Sequence, residues 1–120
     1  MYRTFMEMPV WQKAMDVGER VFRLSQHFPK SELFGLISQI RRSANGIGAN
    51  VAEGFGRNHT NDKIRFYHYA RGSAMETRSH VEYALRIGYL DEASAIELGQ
   101  MLSEVISDLN KLVKTLEKSQ

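Results

Sequence analysis

The stretch QIRRSANGIGANVAEGFGR, residues 39–57, decides how the rest of the chain is interpreted. Its apolar residues recur at helical spacing, which predicts a helix with one buried stripe. Most residues between them are small, and each glycine inside a helix costs about 1 kcal/mol relative to alanine. Two physical causes could offset that cost: another backbone approaches closely, or the chain bends here. The stretch therefore predicts a packing surface, a binding surface, or both.

Working outward from this stretch, we find that four segments carry apolar residues in alternating steps of four and three, which is typical of helices in a bundle. In the first two segments the predicted buried residues are Val10, Ala14, Val17, Val21, Leu24 and Phe28, then Leu33, Ile37, Ile40, Ala44, Ile47 and Val51. In the last two they are Tyr67, Ala70, Ala74, Val81 and Ala84 or Leu85, then Leu98, Leu102, Val105, Leu109, Leu112 and Leu116.

These stripes predict helices over residues 9–27, 31–56, 61–87 and 91–117, with Ser31, Thr60 and Asp91 as candidate N-caps. No useful strand alternation appears, and the short connections favour antiparallel neighbours. The predicted fold is one all-α domain over residues 1–120, an up-down-up-down four-helix bundle. Apolar residues also lie outside the stripes, which is typical either of wide core positions or of a second buried face shared with another copy of the chain. Together with the small-residue stretch, this surplus favours self-association.

Composition excludes several classes of protein. The chain has 120 residues and no cysteine, so disulfides, thiolate metal sites and cysteine nucleophiles are excluded. No apolar run approaches the roughly 20 residues of a membrane span, and the N-terminus lacks the apolar core of a signal peptide. We therefore expect no membrane association and a cytoplasmic location.

A search for catalytic and cofactor motifs finds none. The four histidines lack an HExxH pattern, and the paired glycines do not follow a strand as a dinucleotide fingerprint requires. No serine has a recognisable partnered base, and no pair of ExxH motifs supports a di-iron site. The sequence predicts no catalytic residue, no metal site, no cofactor and no enzymatic activity.

The charges are unevenly distributed along the chain. Residues 1–90 hold 13 Lys and Arg against 8 Asp and Glu, whereas residues 91–120 hold 3 Lys against 6 acidic residues. Seven cations cluster on the second and third helices and their connection, interleaved with aromatic residues, which suits phosphate contact and base stacking. These candidate nucleic-acid-binding residues are Arg41, Arg42, Arg57, Lys63, Arg65, Arg71 and Arg78. The other interpretation is a solvated face with cation–π contacts and ion pairs, such as one between Glu53 and Arg57.

The sequence also resembles the small four-helix proteins encoded in intervening sequences of bacterial 23S rRNA genes. The resemblance covers nearly the whole chain and rests on VWQKAMD (10–16), FPKSELFGLISQIRRSA (28–44), NVAEGFGR (50–57) and FYHYARGSAMET (66–77). At Gly48 the chain departs from the family, which usually has proline there.

This resemblance implies a left-handed antiparallel bundle that assembles into a homo-oligomeric ring, expected to be a pentamer. The family is similar to accessory proteins of diversity-generating retroelements, basic pentameric barrels that bind reverse transcriptase and nucleic acid. The resemblance to the intervening-sequence family implies no catalytic residue. The motif residues that map onto this chain are expected to be structural, because small and polar side chains suit close helix contacts; they are Asn50, Glu53, Gly54, Gly72, Ser73 and Glu76.

Two functional hypotheses follow. The first is a non-enzymatic oligomeric bundle that binds RNA or DNA through its basic side chains. The second is a protein-interaction scaffold or accessory subunit, whose ring presents a surface to a protein partner and whose arginines pair with the acidic fourth helix at subunit interfaces.

Overall fold

The structure, a computed structural model, describes residues 2–120 and places four α-helices there, with no β-strand in that range. The helices are α1 (Pro9–Ser25), α2 (Leu36–Phe55), α3 (Thr60–Arg86) and α4 (Glu92–Lys118), with short 3-10 helices at Phe5–Glu7 and Lys30–Glu32. This confirms the predicted all-α class. None of the described helices is both long enough and apolar enough to cross a membrane.

The four helices close around one hydrophobic core. Each helix packs against its neighbour in sequence, and α1 packs against α4, with the most extensive packing between α2 and α3. The molecule measures 47 × 23 × 20 Å, so the core is a narrow column along the helices. The largest aliphatic side chains that are fully buried in it are Ile40, Ile47, Leu98, Leu102 and Leu109.

At one end of the column, the α1–α2 connection lies against the α3–α4 turn. The Tyr89 hydroxyl donates to Glu32 Oε2 at 2.9 Å, and its ring lies 5.5 Å from the Phe28 ring between centroids. The hydrogen bond to the Glu32 carboxylate raises the pKa of Tyr89, because it favours the protonated phenol. Glu32 Oε1 also accepts from the backbone N–H of Leu36 at 3.2 Å. One carboxylate therefore holds both the start of α2 and the neighbouring turn.

The start of α2 differs from the prediction. The second helix was predicted from residue 31 with Ser31 as its cap, but α2 begins at Leu36, and Ser31 lies in the 3-10 helix before it. Glu32 binds the first backbone N–H of α2 instead, as a carboxylate can at a helix N-terminus. Leu33, predicted to be buried, is 51% exposed because it precedes the helix.

The other two predicted caps differ in outcome. Asp91 caps α4 as predicted, since its Oδ1 accepts from Ser94 N at 2.7 Å, and this hydrogen bond holds the pKa of Asp91 below its usual range. Thr60 is instead the first residue of α3. His59 occupies the cap position and makes no side-chain capping hydrogen bond.

The buried stripes of α1 and α4 drift away from the predicted steps near the C-terminal end of each helix. In α1 the buried residue is Ser25 rather than Leu24, and in α4 it is Val113 rather than Leu112. A straight helix has 3.6 residues per turn, so it rotates by about 20° per heptad relative to a strict seven-residue pattern. The drift moves the inward-facing position one residue further along the chain.

Candidate functional site

The glycine-rich segment forms one unbroken helix. α2 runs without interruption through Gly46 and Gly48, so these glycines do not end it. The close approach that was predicted comes from side chains rather than from a neighbouring backbone. A Cβ added at Gly48 would collide with Met15 Cε and lie 3.4 Å from Trp11 Nε1. Glycine at this position therefore makes room for α1 side chains.

Gly54 plays the same part toward α3. A Cβ built on Gly54 would lie 2.7 Å from Tyr67 Cε1 and 3.2 Å from Phe66 Cβ. Tyr67 is buried, and burial raises the pKa of its phenol. The absence of a side chain at Gly54 lets one edge of the Tyr67 ring, Cδ1 and Cε1, approach α2 closely.

A group of hydroxyls fills the middle of the α2–α3 contact. Thr77 Oγ1 lies 2.9 Å from Ser43 Oγ and 2.8 Å from Ser73 O, and Ser43 Oγ donates to Ile40 O at 3.2 Å. Ser43 and Thr77 are both buried, so these hydrogen bonds satisfy groups that have no access to water. Gly46 faces Ser73 across the same contact, and a Cβ built on Gly46 would lie 3.1 Å from Ser73 Oγ.

The remaining motif residues have separate roles. Asn50 Nδ2 donates to Gly46 O within α2 at 2.9 Å. Glu53 pairs with Arg57 at 3.1 Å, as its spacing predicted. Gly72 is exposed, and a Cβ there would meet nothing within 4 Å in the part of the chain that the structure describes. The expected helix contact at Gly72 is therefore not made within one copy.

Glu76 joins α2 to α3 on the outer side of this contact. Its carboxylate pairs with Arg42 of α2 and lies 3.2 Å from His80 Nε2, one turn further along α3. Partial burial works to raise the pKa of Glu76, but the hydrogen bonds from His80 and Arg42 outweigh it and lower the pKa. Arg42, predicted to bind nucleic acid, is thus engaged within the chain.

Replacing Glu76 with glutamine is expected to destabilise the protein at neutral pH by about 0.5–1 kcal/mol, the range for a partly exposed ion pair. A carboxyl whose pKa is lowered by folding stabilises the folded state above its unfolded pKa of about 4.3 and loses that contribution as pH falls. The difference between wild type and Glu76→Gln should therefore shrink below about pH 4. Urea denaturation at pH 7 and pH 3.5 measures it.

Glu82→Gln is the matched control, because Glu82 is an exposed acid on α3 with no ion-pair partner among the described residues. It should change the stability little at either pH. A Glu76→Gln variant as stable as Glu82→Gln at pH 7 would show that the Glu76 contacts contribute nothing.

Three of the seven predicted cations lie together at the α2–α3 connection; we call Arg57, Lys63, Arg65 and the ring of Phe66 the basic corner. The guanidinium carbons of Arg57 and Arg65 lie 4.5 and 5.3 Å from the Phe66 centroid. Lys63 Nζ donates to Phe55 O at 2.8 Å, which places a cation at the C-terminus of α2, where the helix dipole favours it. Tyr69 lies edge-on to Phe66 and is half exposed.

The basic corner is only partly neutralised. Arg57 pairs with Glu53, and Arg65 pairs with Asp62 at 3.3 Å. Lys63 has no carboxylate within ion-pair distance in residues 2–120, since its partners are backbone carbonyls. One positive charge of the corner therefore remains in excess.

The other predicted cations lie elsewhere. Arg41 stacks on Phe22 of α1, 4.5 Å from the ring centroid, and its Nε donates to Ser25 Oγ at 2.8 Å. Arg71 and Arg78 are seven residues apart in α3 and share one face, which borders α4. Their Nη1 atoms donate to Asn110 Oδ1 at 2.8 Å and Ser103 Oγ at 3.0 Å. A single copy of the chain therefore does not present the seven cations as one surface.

Two features of the α1–α2 connection were not predicted. Phe34 is 93% exposed on the α1–α2 connection, although the predicted second helix included it. Glu32 anchors that connection from a position that the apolar pattern does not distinguish. The only sequence signal for the exposure of Phe34 is the glycine that follows it, Gly35, because a glycine can mark the boundary between two elements.

Comparison with known proteins identifies the family. The family described as 23S rRNA-intervening sequence protein matches residues 6–111. The chain belongs to this family. Its fold is similar to a crystal structure of a protein of unknown function from the S23 ribosomal protein family of Bacteroides thetaiotaomicron, with a TM-score of 0.79 and 23% identity over 88% of this chain and 98% of that chain. None of the curated proteins matches.

The 23S rRNA-intervening sequence family membership confirms the resemblance seen in the sequence. At 23% identity, the Bacteroides thetaiotaomicron structure is evidence for the fold of this chain only. Within residues 2–120, no group of three histidine, aspartate or glutamate side chains is placed to hold a metal ion.

Proposed function

We propose that this 23S rRNA-intervening sequence protein is a non-enzymatic, self-associating bundle of antiparallel up-down-up-down helices that binds RNA or DNA at its basic corner. The observation that carries the proposal is the clustering of three cations and two aromatic rings at one exposed end of the molecule. Arginine planes and aromatic rings stack on bases, while the positive charges attract phosphates.

The ion pairs of the corner set the expected strength of binding. A phosphate must compete with Glu53 for Arg57 and with Asp62 for Arg65, so each subunit gains little from a single contact. Self-association would place several corners on one nucleic acid and raise the avidity without any new contact. We therefore expect weak binding per subunit and tighter binding by an assembly.

Binding is expected to fall steeply with salt, because most of its free energy comes from counterion release. With about three phosphate contacts per subunit, the slope of log K against log salt should be about −2 to −3. Fluorescence anisotropy with a labelled single-stranded RNA and an RNA hairpin, at 50 and 150 mM KCl, measures it.

Paired variants of equal charge test the location. Arg57→Gln with Arg65→Gln removes two cations from the basic corner, whereas Arg20→Gln with Arg23→Gln removes two from α1, where they pair with Glu97 and Glu19. We expect at least a tenfold loss for the corner pair and less than threefold for the α1 pair. Absence of binding at 50 mM KCl, or equal losses for both pairs, would refute the proposal.

The second candidate is a protein-interaction scaffold, which is favoured by the engagement of most predicted cations within the chain. In the scaffold hypothesis, arginines of one copy pair with the acidic α4 of another copy. Two acids of α4 are already paired with α1 of the same copy, because Lys13 binds Asp108 at 2.9 Å and Arg20 binds Glu97 at 2.6 Å. The hydrogen bond to Asp108 raises the pKa of Lys13.

Arg71→Glu and Arg65→Glu together separate the two functions, because Arg71 reaches toward α4 and Arg65 belongs to the basic corner. Loss of the assembly in Arg71→Glu would support the scaffold, whereas loss of nucleic-acid binding in Arg65→Glu with the assembly intact would support the first proposal. Light scattering measures the mass of the assembly, and fluorescence anisotropy on the same sample measures nucleic-acid binding.

A further inference from the structure

Phe34 is the most exposed large apolar side chain in the described chain. It is 93% exposed, and the neighbouring Leu33 is 51% exposed. Both lie on a connection that is well anchored, because Glu32 binds Tyr89 and the start of α2. An aromatic ring held in water on a fixed support is costly to leave uncovered and is typical of an anchor residue at a protein interface.

The surroundings of Phe34 are basic. Leu33 borders a groove between α1 and α2 that is also lined by Lys30 and Arg41 and by no acidic residue. The acidic residue of this connection, Glu32, is engaged by Tyr89 and Leu36. A surface that receives Phe34 must therefore be apolar at its centre and acidic at its edge.

A groove between α3 and α4 meets both requirements. Its volume is about 580 Å³, and its lining includes Leu85, Ala95, Ile96 and the side-chain-free Gly99. Ile96 is 54% exposed, so the apolar floor is open. Its charged lining residues are Glu82, Glu104 and Arg78, so the lining is acidic on balance. Glu104 pairs with Lys13 at 3.6 Å and Arg78 donates to Ser103 Oγ, whereas Glu82 has no ion-pair partner among residues 2–120.

We propose that Phe34 of one copy inserts into the α3–α4 groove of a second copy. The charges favour this arrangement over a two-fold exchange through the α1–α2 groove, which would bring Lys30 and Arg41 of the two copies together. The donor surface lies on the α1–α2 connection and the acceptor groove between α3 and α4. When each copy gives Phe34 to one neighbour and receives Phe34 from another, the contact is head-to-tail and each copy binds two others. Repeating it generates a closed ring or a filament.

This inference rests on the self-association included in the proposed function and names the surfaces that carry it. It also accounts for the uncovered apolar residues on both surfaces, which have no partner in a single copy.

Light scattering on Phe34→Glu and Ile96→Glu tests the contact, with Met75→Glu as the matched control at another exposed apolar position on α3. Each of the first two variants should have the mass of one chain, and Met75→Glu should keep the wild-type mass. Because all three positions are more than half exposed, the far-UV circular dichroism of each variant should match that of the wild type, which shows that the fold of the single chain is kept.

Mixing the two variants tests whether Phe34 and the α3–α4 groove are the two halves of one contact. Ile96→Glu retains an intact Phe34, and Phe34→Glu retains an intact groove, so an equimolar mixture should form dimers that cannot extend. Since the chain has no cysteine, Phe34→Cys mixed with Ile96→Cys should also form a mixed disulfide on oxidation.

A wild-type protein that stays monomeric at all concentrations would overturn self-association itself, whatever its nucleic-acid binding. A wild-type assembly that both variants leave intact, or variants that remain monomeric when mixed, would overturn only the proposed contact.

Discussion

Gly54→Leu is expected to lower the free energy of unfolding by about 3 kcal/mol, through overpacking of the α2–α3 contact. The first atom added at this position already lies 2.7 Å from Tyr67 Cε1 and 3.2 Å from Phe66 Cβ. Neither neighbour is the free end of a flexible chain: one is a buried ring, and the other is fixed to the α3 backbone. The leucine can be accommodated only if the two helices separate.

The matched control is Gly18→Leu in α1, where an added Cβ meets nothing within 4 Å. There leucine replaces a residue that costs a helix about 1 kcal/mol, so stability should rise slightly or stay unchanged. Urea denaturation at one fixed protein concentration compares the two, since association would shift the apparent stability. Equal effects of the two substitutions would show that Gly54 is not closely packed.

A second substitution identifies the neighbour responsible. In a Tyr67→Leu background the ring is absent, so Gly54→Leu should cost less than it does in the wild type. The difference between the two costs measures the coupling between positions 54 and 67. Additive effects would place the strain elsewhere in the α2–α3 contact.

The sequence predicted the helices well because their apolar residues recur over many turns. Four stripes with short connections leave few alternatives to four helices around one core. The close approach at α2 was also predictable, because repeated glycines within a helix require an offsetting contact. The identity of that contact was not predictable, since Met15 and Tyr67 reach α2 from α1 and α3, and their positions depend on how the helices pack.

The candidate site was predictable only in part. Seven cations are close in sequence, but a helix directs them to different sides, and each then meets its own neighbours. Arg42 reaches Glu76 and Arg41 reaches Ser25, whereas Arg57 and Arg65 meet at Phe66. Sequence spacing places Arg71 and Arg78 on one face but does not say that the face borders α4.

Leu102→Ala is expected to cost about 3–4 kcal/mol, within the range for a large-to-small change in a closed core. Leu102 is fully buried in α4, where the four helices surround it, so the cavity cannot be filled by a small movement. Leu112 is the informative control, because the apolar pattern predicts both leucines in one buried stripe. In the structure Leu112 is partly exposed, and Leu112→Ala should cost about 1 kcal/mol.

The comparison tests the drift of α4 directly. A helix wound to a strict heptad would keep Leu112 facing inward, and the two alanine variants would then cost similar amounts. A helix with 3.6 residues per turn turns Leu112 aside and brings Val113 inward, as the structure shows. Val113→Ala should then cost more than Leu112→Ala, although valine loses fewer atoms. The reverse order would mean that α4 follows the supercoiled path of a coiled coil at its C-terminal end.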